Sequence, residues 1–434
     1  MAGDVRPFGQ LFAEPTRNGL TRPKAVWGSG IKMVNMGELF AYPRLRNVPM
    51  DRVTLSEAEA ERFLLIAGDL LFARQSLVLE GAGKCSIFLG DDEPVTYESH
   101  VTRVRLDVHK ADPHYYFYYL QSPHGRAAIR SIVEQGAGAS GIRGSDLQTL
   151  NVQWRPLLEQ HAIAHILGTL DDKIELNQRM NETLGAMAQD IFKSWFVDFD
   201  PVRAKAAGRD PGLTKPIADL FPDSFEHSEL GEIPKGWRVG RLGDLLEQRV
   251  ERCVASPETA DLPYVPIDCI SPKSLFLTGS KPGSEAQSSL TKFYKGDLLF
   301  GAMRPYFHKV CITPFDGTTR TTVFVLFPRR KEDFAFATLL LHHPDTIDYA
   351  TRHSTGSTIP YAVWSRSLED MPVIIPPSAL RKGFDGIVRP ILVRIPEPHF
   401  ENRTLAALRD TLLPKLISGE LRVKDAEQFI GGHD

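Results

Sequence analysis

Two short motifs contain the residues best suited to catalysis or ligand binding. Residues 136–141 match the G-x-G-x-x-G pattern of dinucleotide-binding loops. That loop must follow a strand and open a helix, whose N-terminal amides meet the phosphates. Here a predicted helix precedes it and a predicted strand follows. His161 and His165 are spaced as a metal-binding pair on a helix, but the sequence offers no third ligand nearby. Neither motif predicts an active site.

Other catalytic signatures are missing from the sequence. It has no Walker A loop, no H-E-x-x-H or G-x-S-x-G motif, and no Asn-Pro-Pro-aromatic motif of amino-methyltransferases. Its four cysteines are widely spaced, which predicts neither a disulfide framework nor a zinc site. We therefore expect a binding protein with no catalytic residue, no metal and no cofactor of its own.

Composition predicts a cytoplasmic protein of two or three domains, because no segment resembles a signal peptide or a membrane span. The formal net charge of −3 excludes a strongly basic, non-specific nucleic-acid coater. Residues 292–331, however, hold eight basic side chains against two acidic ones. This stretch is interpreted either as a solvated sheet edge or as a local DNA contact.

The elements that must position any binding residues are two long helices. Residues 157–199 repeat apolar side chains with alternating spacings of three and four, the pattern of a coiled-coil seam. At ~1.5 Å per residue this helix would be roughly 60 Å long. Its predicted interface residues are Leu167, Leu170, Ile174, Asn181, Leu184, Ile191, Trp195 and Phe196. We expect Trp195, Phe196 and Phe199 to pack at helix or partner interfaces.

A second seam supplies a partner for the first. Aligning Pro377 with Pro156 places its interface residues at Ile391, Asn402, Leu405 and Leu412. Two unrelated amphipathic helices are the alternative explanation. Pro396 and Pro398 interrupt this second seam, and proline inside a helix breaks or kinks it, so two shorter helices are expected there.

The globular parts of the chain also repeat. Gly-Asp-Leu-Leu-Phe at 68–72 recurs residue for residue at 296–300, with Arg304 near the place of Arg74. Further matching short sequence motifs recur in the same order, which predicts two diverged copies of one unit made of a globular domain and a long helix. The fold class is therefore mixed α/β (α+β), with two similar domains separated by a pair of long antiparallel helices and related by a pseudo-twofold repeat. The predicted segments are a first domain 1–156, a spacer helix 157–199, a linker 200–232, a second domain 233–377, a C-terminal helix 378–425 and a tail 426–434.

This arrangement resembles the specificity subunit of type I restriction–modification systems. The words that carry the resemblance are Gly68–Arg74, Gly296–Arg304, Leu170-Asp171-Asp172-Lys173-Ile174, Trp195-Phe196-Val197-Asp198-Phe199 and Leu412-Leu413-Pro414-Lys415-Leu416. The resemblance implies two target-recognition domains, each reading one half of a split, asymmetric site in double-stranded DNA. It implies a helical spacer that docks methyltransferase subunits, two in number, and motor-nuclease subunits that join for restriction. S-adenosylmethionine and ATP are expected in those partners.

The DNA-contacting residues are predicted from their types and places. Arginine, lysine, glutamine, serine and threonine read base edges or bind phosphates, and we expect them at strand ends and in Gly/Ser-rich loops. The candidates are Arg74, Gln75, Ser140 and Arg143 in the first domain, and Arg304, Lys309, Arg320, Arg352, Ser357 and Thr358 in the second. The alternative for each is a hinge or an ordinary surface position.

Two other functions remain open. The chain is alternatively the specificity subunit of a type II system in which another chain both cleaves and methylates. It is otherwise a coiled-coil scaffold with no DNA role. The partner with which it co-purifies and its selection of DNA sequences separate these hypotheses.

Overall fold

The computed structural model describes residues 4–136, 138–277, 279–287, 289–356, 358–394 and 396–425, with the backbone alone for 396–400. The chain divides into two compact units. Unit 1 comprises Met1–Ile174 and Thr404–Asp434, and unit 2 comprises Glu175–Arg403.

Unit 1 is a mixed α/β domain. Its strands are β1 (Asp4–Pro7), β2 (Arg17–Asn18), β3 (Ile31–Val34), β4 (Arg44–Arg46), β5 (Asp51–Val53), β6 (Leu70–Ala73), β7 (Gln75–Ser76), β8 (Cys85–Gly90), β9 (Val95–Tyr97), β10 (Val101–Val104), β11 (Glu134–Gln135), β12 (Ser140–Gly141) and β13 (Asn151–Trp154). Its helices are α1 (Met36–Ala41), α2 (Glu57–Phe63), α3 (Pro113–Gln121), α4 (Pro123–Ser131), α5 (Gly144–Thr149) and the first part of α6 (Leu157–Phe196). The central sheet has the strand order β2-β10-β6-β8-β4.

Unit 2 repeats this plan. Its strands are β14 (Phe225–Ser228), β15 (Gly231–Pro234), β16 (Arg238–Arg241), β17 (Leu246–Gln248), β18 (Arg252–Cys253), β19 (Leu290–Phe293), β20 (Leu298–Gly301), β21 (Val310–Ile312), β22 (Gly317–Arg320), β23 (Val323–Pro328) and β24 (Pro372–Ile375). Its helices, after the second part of α6, are α7 (Asp200–Ala206), α8 (Lys215–Ala218), α9 (Pro257–Ala260), α10 (Phe334–His342), α11 (Pro344–Arg352), α12 (Ser378–Arg394) and the start of α13 (Pro396–Ser418), which ends in unit 1. The central sheet has the order β17-β23-β20-β21.

The two units share a common framework, which confirms the predicted mixed α/β fold and its internal repeat. Antiparallel β10-β6-β8 corresponds to β23-β20-β21, and α3–α4 corresponds to α10–α11. Two antiparallel strand pairs correspond as well: β1 pairs with β13, the last strand before α6, and β16, which follows the β14–β15 hairpin, pairs with β24, the last strand before α12. In each unit, the strands at the two ends of the central globular region are therefore hydrogen-bonded to each other.

The repeated Gly-Asp-Leu-Leu-Phe word builds the same turn and strand in both units. Gly68 and Gly296 have φ values of +95° and +91°, which glycine adopts without strain. The aspartate that follows is buried and clamped by two parallel hydrogen bonds from an arginine. Arg105 Nε and Nη2 donate to Asp69 at 2.7 Å each. Arg249 donates to Asp297 at 2.8 and 3.0 Å.

Helix α6 packs antiparallel to the C-terminal helices within each unit. In unit 1, Arg155 Nη2 donates to the Ile417 carbonyl (2.8 Å), while Asp171, further along α6, accepts from Arg409 Nη1 (2.6 Å). In unit 2, Asn177 Nδ2 donates to Asn402 Oδ1 at 2.8 Å. The contacts run in opposite directions along the two segments, as the seam pattern predicts.

Three boundaries differ from the sequence prediction. The linker assigned to 200–232 contains α7, α8 and the hairpin strand β14, and it buries Val202 and Phe221 in the core of unit 2. Its elements are too short to show a hydrophobic period. Helix α6 ends at Phe196 rather than near Phe199, which adopts a left-handed conformation before α7. The sequence pattern from Pro113 to about Val133 predicts one helix, but the structure has α3 and α4, since Pro123 disfavours a helical conformation at Ser122.

Candidate nucleic-acid interface

In unit 1 the four candidate residues come together on one small sheet. Its strand order is β11-β12-β7, and it lies where the chain leaves buried strand β6. Gln75 pairs with Gly141 and Ser76 with Ser140, while the Arg74 carbonyl accepts a hydrogen bond from Ile142 N at 3.0 Å. Residues separated by about seventy positions therefore share one surface, as the sequence prediction requires.

The side chains of this cluster differ in availability. Gln75 is exposed and Arg74 is half-buried. Arg143 is exposed and pairs with Glu134 at 2.7 Å, and an exposed ion pair of this kind is worth only ~0–1 kcal/mol, so an incoming phosphate can displace it. Ser140 is only 8% exposed, so its backbone rather than its hydroxyl shapes the surface.

In unit 2 a corresponding site forms beside the end of β20. Tyr361 bridges to both Met303 and Thr355, which holds the loop 355–361 against the residues that follow β20. Arg304 N donates to the Pro360 carbonyl at 2.7 Å. Thr358 is exposed in this loop; Ser357 lies outside the described residues.

The remaining candidates of unit 2 are less uniform. Arg320 is exposed at the end of β22, and Arg352 is exposed at the end of α11. The Tyr361 hydroxyl donates to the carbonyl of Thr321, which places the residue after Arg320 against the same loop. Lys309 is half-buried and its Nζ donates to the Ile267 carbonyl at 2.8 Å, so it supports the turn more than it faces solvent.

Arg304 lies near, but not at, the position equivalent to Arg74. Ile142 N donates to the Arg74 carbonyl in unit 1, and Ala362 N donates to the Ala302 carbonyl in unit 2. Ala302 thus takes the place of Arg74, as the repeated Gly-Asp-Leu-Leu-Phe motif also implies, and Arg304 lies two residues further along, in the position of Ser76.

Sequence reasoning missed several exposed apolar side chains near these sites. The turn between β6 and β8 exposes Leu77 (88%) and Val78 (60%), and the shorter turn between β20 and β21 exposes Tyr306 (49%) and Phe307 (45%). Each turn directly follows a candidate cation. A run of apolar residues at the end of a hairpin strand was the signal that could have found them.

The basic stretch 292–331 does not form one free patch. Lys292 lies 3.4 Å from Glu251, and Arg329 pairs with Glu247 at 2.9 Å. Two of its eight basic side chains are thus matched by acids from other parts of unit 2. Its contribution to DNA contact therefore rests on individual side chains such as Arg304 and Arg320.

The predicted helix-interface residues lie largely on buried faces. Leu167 and Leu170 pack in the core of unit 1 with Leu412, while Leu405 packs against its edge. Trp195 and Phe196 are buried in the core of unit 2, and Ile191 and Ile391 pack against that core. Ile174, Asn181 and Leu184 are half-buried, and Asn402 is buried. The side chains of Trp195 and Phe196 therefore pack in the interior of unit 2.

A buried polar network in unit 1 was not predicted. Asp171 accepts hydrogen bonds from the Tyr118 hydroxyl of α3 at 2.7 Å and from Arg409 Nη1 of α13 at 2.6 Å. Burial and the Asp171 carboxylate raise the pKa of Tyr118 above its usual value. Arg409 of α13 therefore faces α6 through its hydrogen bond to Asp171.

Within the described residues, His, Cys, Asp and Glu side chains form no group of three that could ligate a metal ion. No described helix has both the length and the apolar character that a bilayer crossing needs.

Two related α/β units along one chain, each with basic and polar side chains beside the end of its central strand, define a duplicated mixed α/β architecture. A sequence profile for the "Type I restriction modification DNA specificity domain" matches residues 33–186. The MjaIX type I restriction enzyme specificity subunit of Methanocaldococcus jannaschii is 30% identical over 329 residues, which span 71% of this chain and 69% of the relative. The HindI specificity subunit of Haemophilus influenzae is 26% identical over 71% of this chain and 77% of its own. The chain belongs to the family of type I restriction–modification specificity subunits.

The fold agrees with this assignment. The crystal structure of a type I restriction–modification S subunit from M. genitalium superimposes with a TM-score of 0.61 over 95% of both chains, at 16% sequence identity. At that identity the match supports the fold alone.

Proposed function

We propose that the chain is the non-catalytic DNA-recognition subunit of a type I restriction–modification complex and reads a split, asymmetric site. Unit 1 reads one half through the cluster around Arg74, Gln75 and Arg143, and unit 2 reads the other through Arg304, Arg320 and Thr358. The observation that carries the proposal is the repeated placement of a recognition hairpin at the same end of β6 and β20, with different residues in each copy. Different side chains on one framework imply different half-sites.

The helices have a separate role in this proposal. Helix α6 contributes residues to both units without a break, and it acts as the spacer that sets how many base pairs lie unread between the half-sites. The family suggests that two methyltransferase subunits and motor-nuclease subunits assemble on the chain. S-adenosylmethionine and ATP then act in those partners. The net charge of −3 fits this division, because the partners can supply much of the phosphate contact.

A selection experiment tests the proposal. The chain, co-expressed with its methyltransferase partner, is incubated with a pool of random duplexes at several salt concentrations, and the bound DNA is sequenced. We expect one enriched motif made of two dissimilar halves and a spacer of fixed length. No enrichment would support the scaffold hypothesis. Cleavage and methylation activities that co-purify in a single partner chain would instead support the type II hypothesis.

Variants of the two clusters assign each unit to a half-site. Arg143→Ala and Arg304→Ala are each expected to weaken specific binding about 5- to 100-fold if the arginine contacts a base, and to lower the salt slope by about one if it contacts a phosphate. Lys110→Ala and Lys235→Ala, which remove exposed lysines elsewhere in units 1 and 2, serve as controls. Unchanged affinity and salt slope in both arginine variants would show that these clusters do not bind DNA.

A further inference from the structure

Two neighbouring aromatic side chains project into solvent from the turn between β20 and β21. Tyr306 and Phe307 are 49% and 45% exposed, and their ring centroids lie 4.8 Å apart. Exposed aromatic surface is costly in water, so a paired and solvent-facing arrangement points to a ligand.

The backbone of this turn is strained on both sides of the aromatic pair. Arg304 and His308 have φ values of +53° and +52°, a left-handed conformation that residues other than glycine rarely adopt. Such conformations persist where the surroundings enforce them, and they concentrate at functional sites. Arg304 N donates to the Pro360 carbonyl, and Phe307 N donates to the Arg304 carbonyl at 3.0 Å. The aromatic pair is therefore held in place.

Buried contacts fix the far side of the turn. His308 is 8% exposed, its Nε2 lies 2.8 Å from the His342 carbonyl at the end of α10, and its own carbonyl accepts from Lys273 N at 2.7 Å. The two imidazole rings lie 4.4 Å apart between centroids. The residue that follows Tyr306 and Phe307 is thus fixed by contacts in the interior of unit 2.

Most charges around the pair suit a polyanion. Arg304 precedes the pair and no acidic residue lies between positions 302 and 309. Helix α11, which packs against the turn, ends in exposed Arg352 and also exposes Asp348. A phosphate backbone suits these cations, and base faces suit the aromatic rings.

We propose that Tyr306 and Phe307 form an aromatic wedge, which enters the duplex at a base step of the half-site read by unit 2 and stacks on the exposed bases. This inference rests on the proposed function and deepens it. Apolar side chains inserted between base pairs unstack and bend DNA, which adds selectivity for easily deformed steps. The corresponding turn of unit 1 exposes the aliphatic Leu77 and Val78, which can touch bases but cannot stack on them as rings do.

The test uses the full chain in complex with its methyltransferase partner and duplexes of the selected motif, with 2-aminopurine placed in turn at each step of the unit 2 half-site. We expect binding to change the fluorescence at one step, because insertion alters stacking there. The Tyr306→Ala/Phe307→Ala variant is expected to lose this change and about 10- to 100-fold in specific affinity, since each stacked base contributes strongly to binding. Tyr306→Leu/Phe307→Leu, which keeps apolar volume, is expected to recover part of the affinity without the fluorescence change.

Controls separate the possible failures. Leu77→Ala/Val78→Ala is expected to leave the signal in the unit 2 half-site unchanged, and an unaltered melting temperature shows that each variant folds. If the unaltered complex selects no motif, the proposed function fails. If it binds its motif but the alanine variant keeps both affinity and fluorescence, the wedge is overturned while the function stands. Loss of methyltransferase co-purification in the alanine variant would mean that the pair is a protein-docking surface, which also overturns the wedge.

Discussion

Buried aspartates in the repeated Gly-Asp-Leu-Leu-Phe words show how single residues maintain both units. Asp69 also accepts a hydrogen bond from Ile66 N (2.9 Å), and Asp297 accepts one from Tyr294 N (2.8 Å), so each carboxylate fixes the turn that starts its central strand. The sequence predicted the repeated strand but not the arginine partners. Arg105 follows β10, whereas Arg249 follows β17, and no alignment of the two copies would pair them.

Asp69→Ala and Asp297→Ala are each expected to destabilise the protein by about 3–5 kcal/mol, because removal of the carboxylate breaks the paired hydrogen bonds of a partly buried arginine. The effect of Asp69→Ala is expected to be the smaller of the two, since Arg105 Nη1 keeps Glu14 at 2.8 Å. The measurement is urea unfolding of both variants. Asp219→Ala, at an exposed aspartate, is the control and should stay within about 0.5 kcal/mol of the unaltered protein. A similarly small effect of Asp69→Ala would show that the hydrogen bonds between Asp69 and Arg105 are unimportant for stability.

His342 makes the stability of unit 2 sensitive to acid. Burial, and then the nearby His308, lower the pKa of His342 to about 3. The unfolded chain, with a histidine pKa near ~6.5, therefore binds the proton first. The stabilisation is complete above about pH 6.5 and is lost as the pH falls towards 3, at a slope approaching ~1.4 kcal/mol per pH unit.

His342→Leu is expected to unfold in urea with a weaker pH dependence between pH 6.5 and 4.5 than the unaltered protein. The difference between the two profiles isolates this histidine from the carboxyl groups that titrate in the same range. Parallel profiles would mean that His342 does not titrate differently in the two states.

Helices are the elements that the sequence predicted best. The spacing of apolar residues identified the seam of α6, and the prolines at 396 and 398 marked the region where α12 ends and α13 begins. The network of Tyr118, Asp171 and Arg409 could not be predicted, because it depends on how α3 packs against α6 and α13. Short elements such as α7 and α8 left no periodic signal.

Asp171→Asn is expected to destabilise unit 1 by about 1–3 kcal/mol, since it removes the carboxylate that Arg409 Nη1 contacts while Arg409 keeps its ion pair with Asp410. The combined variant Tyr118→Phe/Asp171→Leu/Arg409→Met replaces all three polar groups and is expected to restore most of that loss. Thermal unfolding of both variants checks the prediction. A combined variant less stable than Asp171→Asn would show that the network contributes more than apolar packing can replace.

At the scale of the molecule, the duplication was readable from the sequence while the recognition surfaces were only partly so. The repeated sequence motifs predicted that the central strands of the two units follow in the same order. The turns that follow β6 and β20 differ in length and sequence, and this hid the exposed pairs Leu77–Val78 and Tyr306–Phe307. Framework positions repeat because packing constrains them, whereas surface turns are free to diverge.

The proposed spacer role gives a prediction for DNA selection. Insertion of seven residues after Arg179, with seven more after Asn402, keeps the seam in register and lengthens the helices by roughly 10 Å, the rise of about three base pairs. The selected motif is expected to keep both halves and gain about three unread positions. Insertion of seven residues into an exposed loop, after Gly208, is the control. If the helical variant selects a motif with an unchanged spacer, the helices do not set the separation of the half-sites.

The pairing of β1 with β13, and of β16 with β24, has an evolutionary consequence. Because these strand pairs join the two ends of each globular region, a crossover just outside them transfers β1–β13 or β16–β24 as one segment. The helical residues that complete each core, such as Trp195 and Phe384 in unit 2, stay behind and must pack against the incoming segment. Under the proposed function, recombination that preserves this helix-facing packing creates a new combination of half-site preferences in one event.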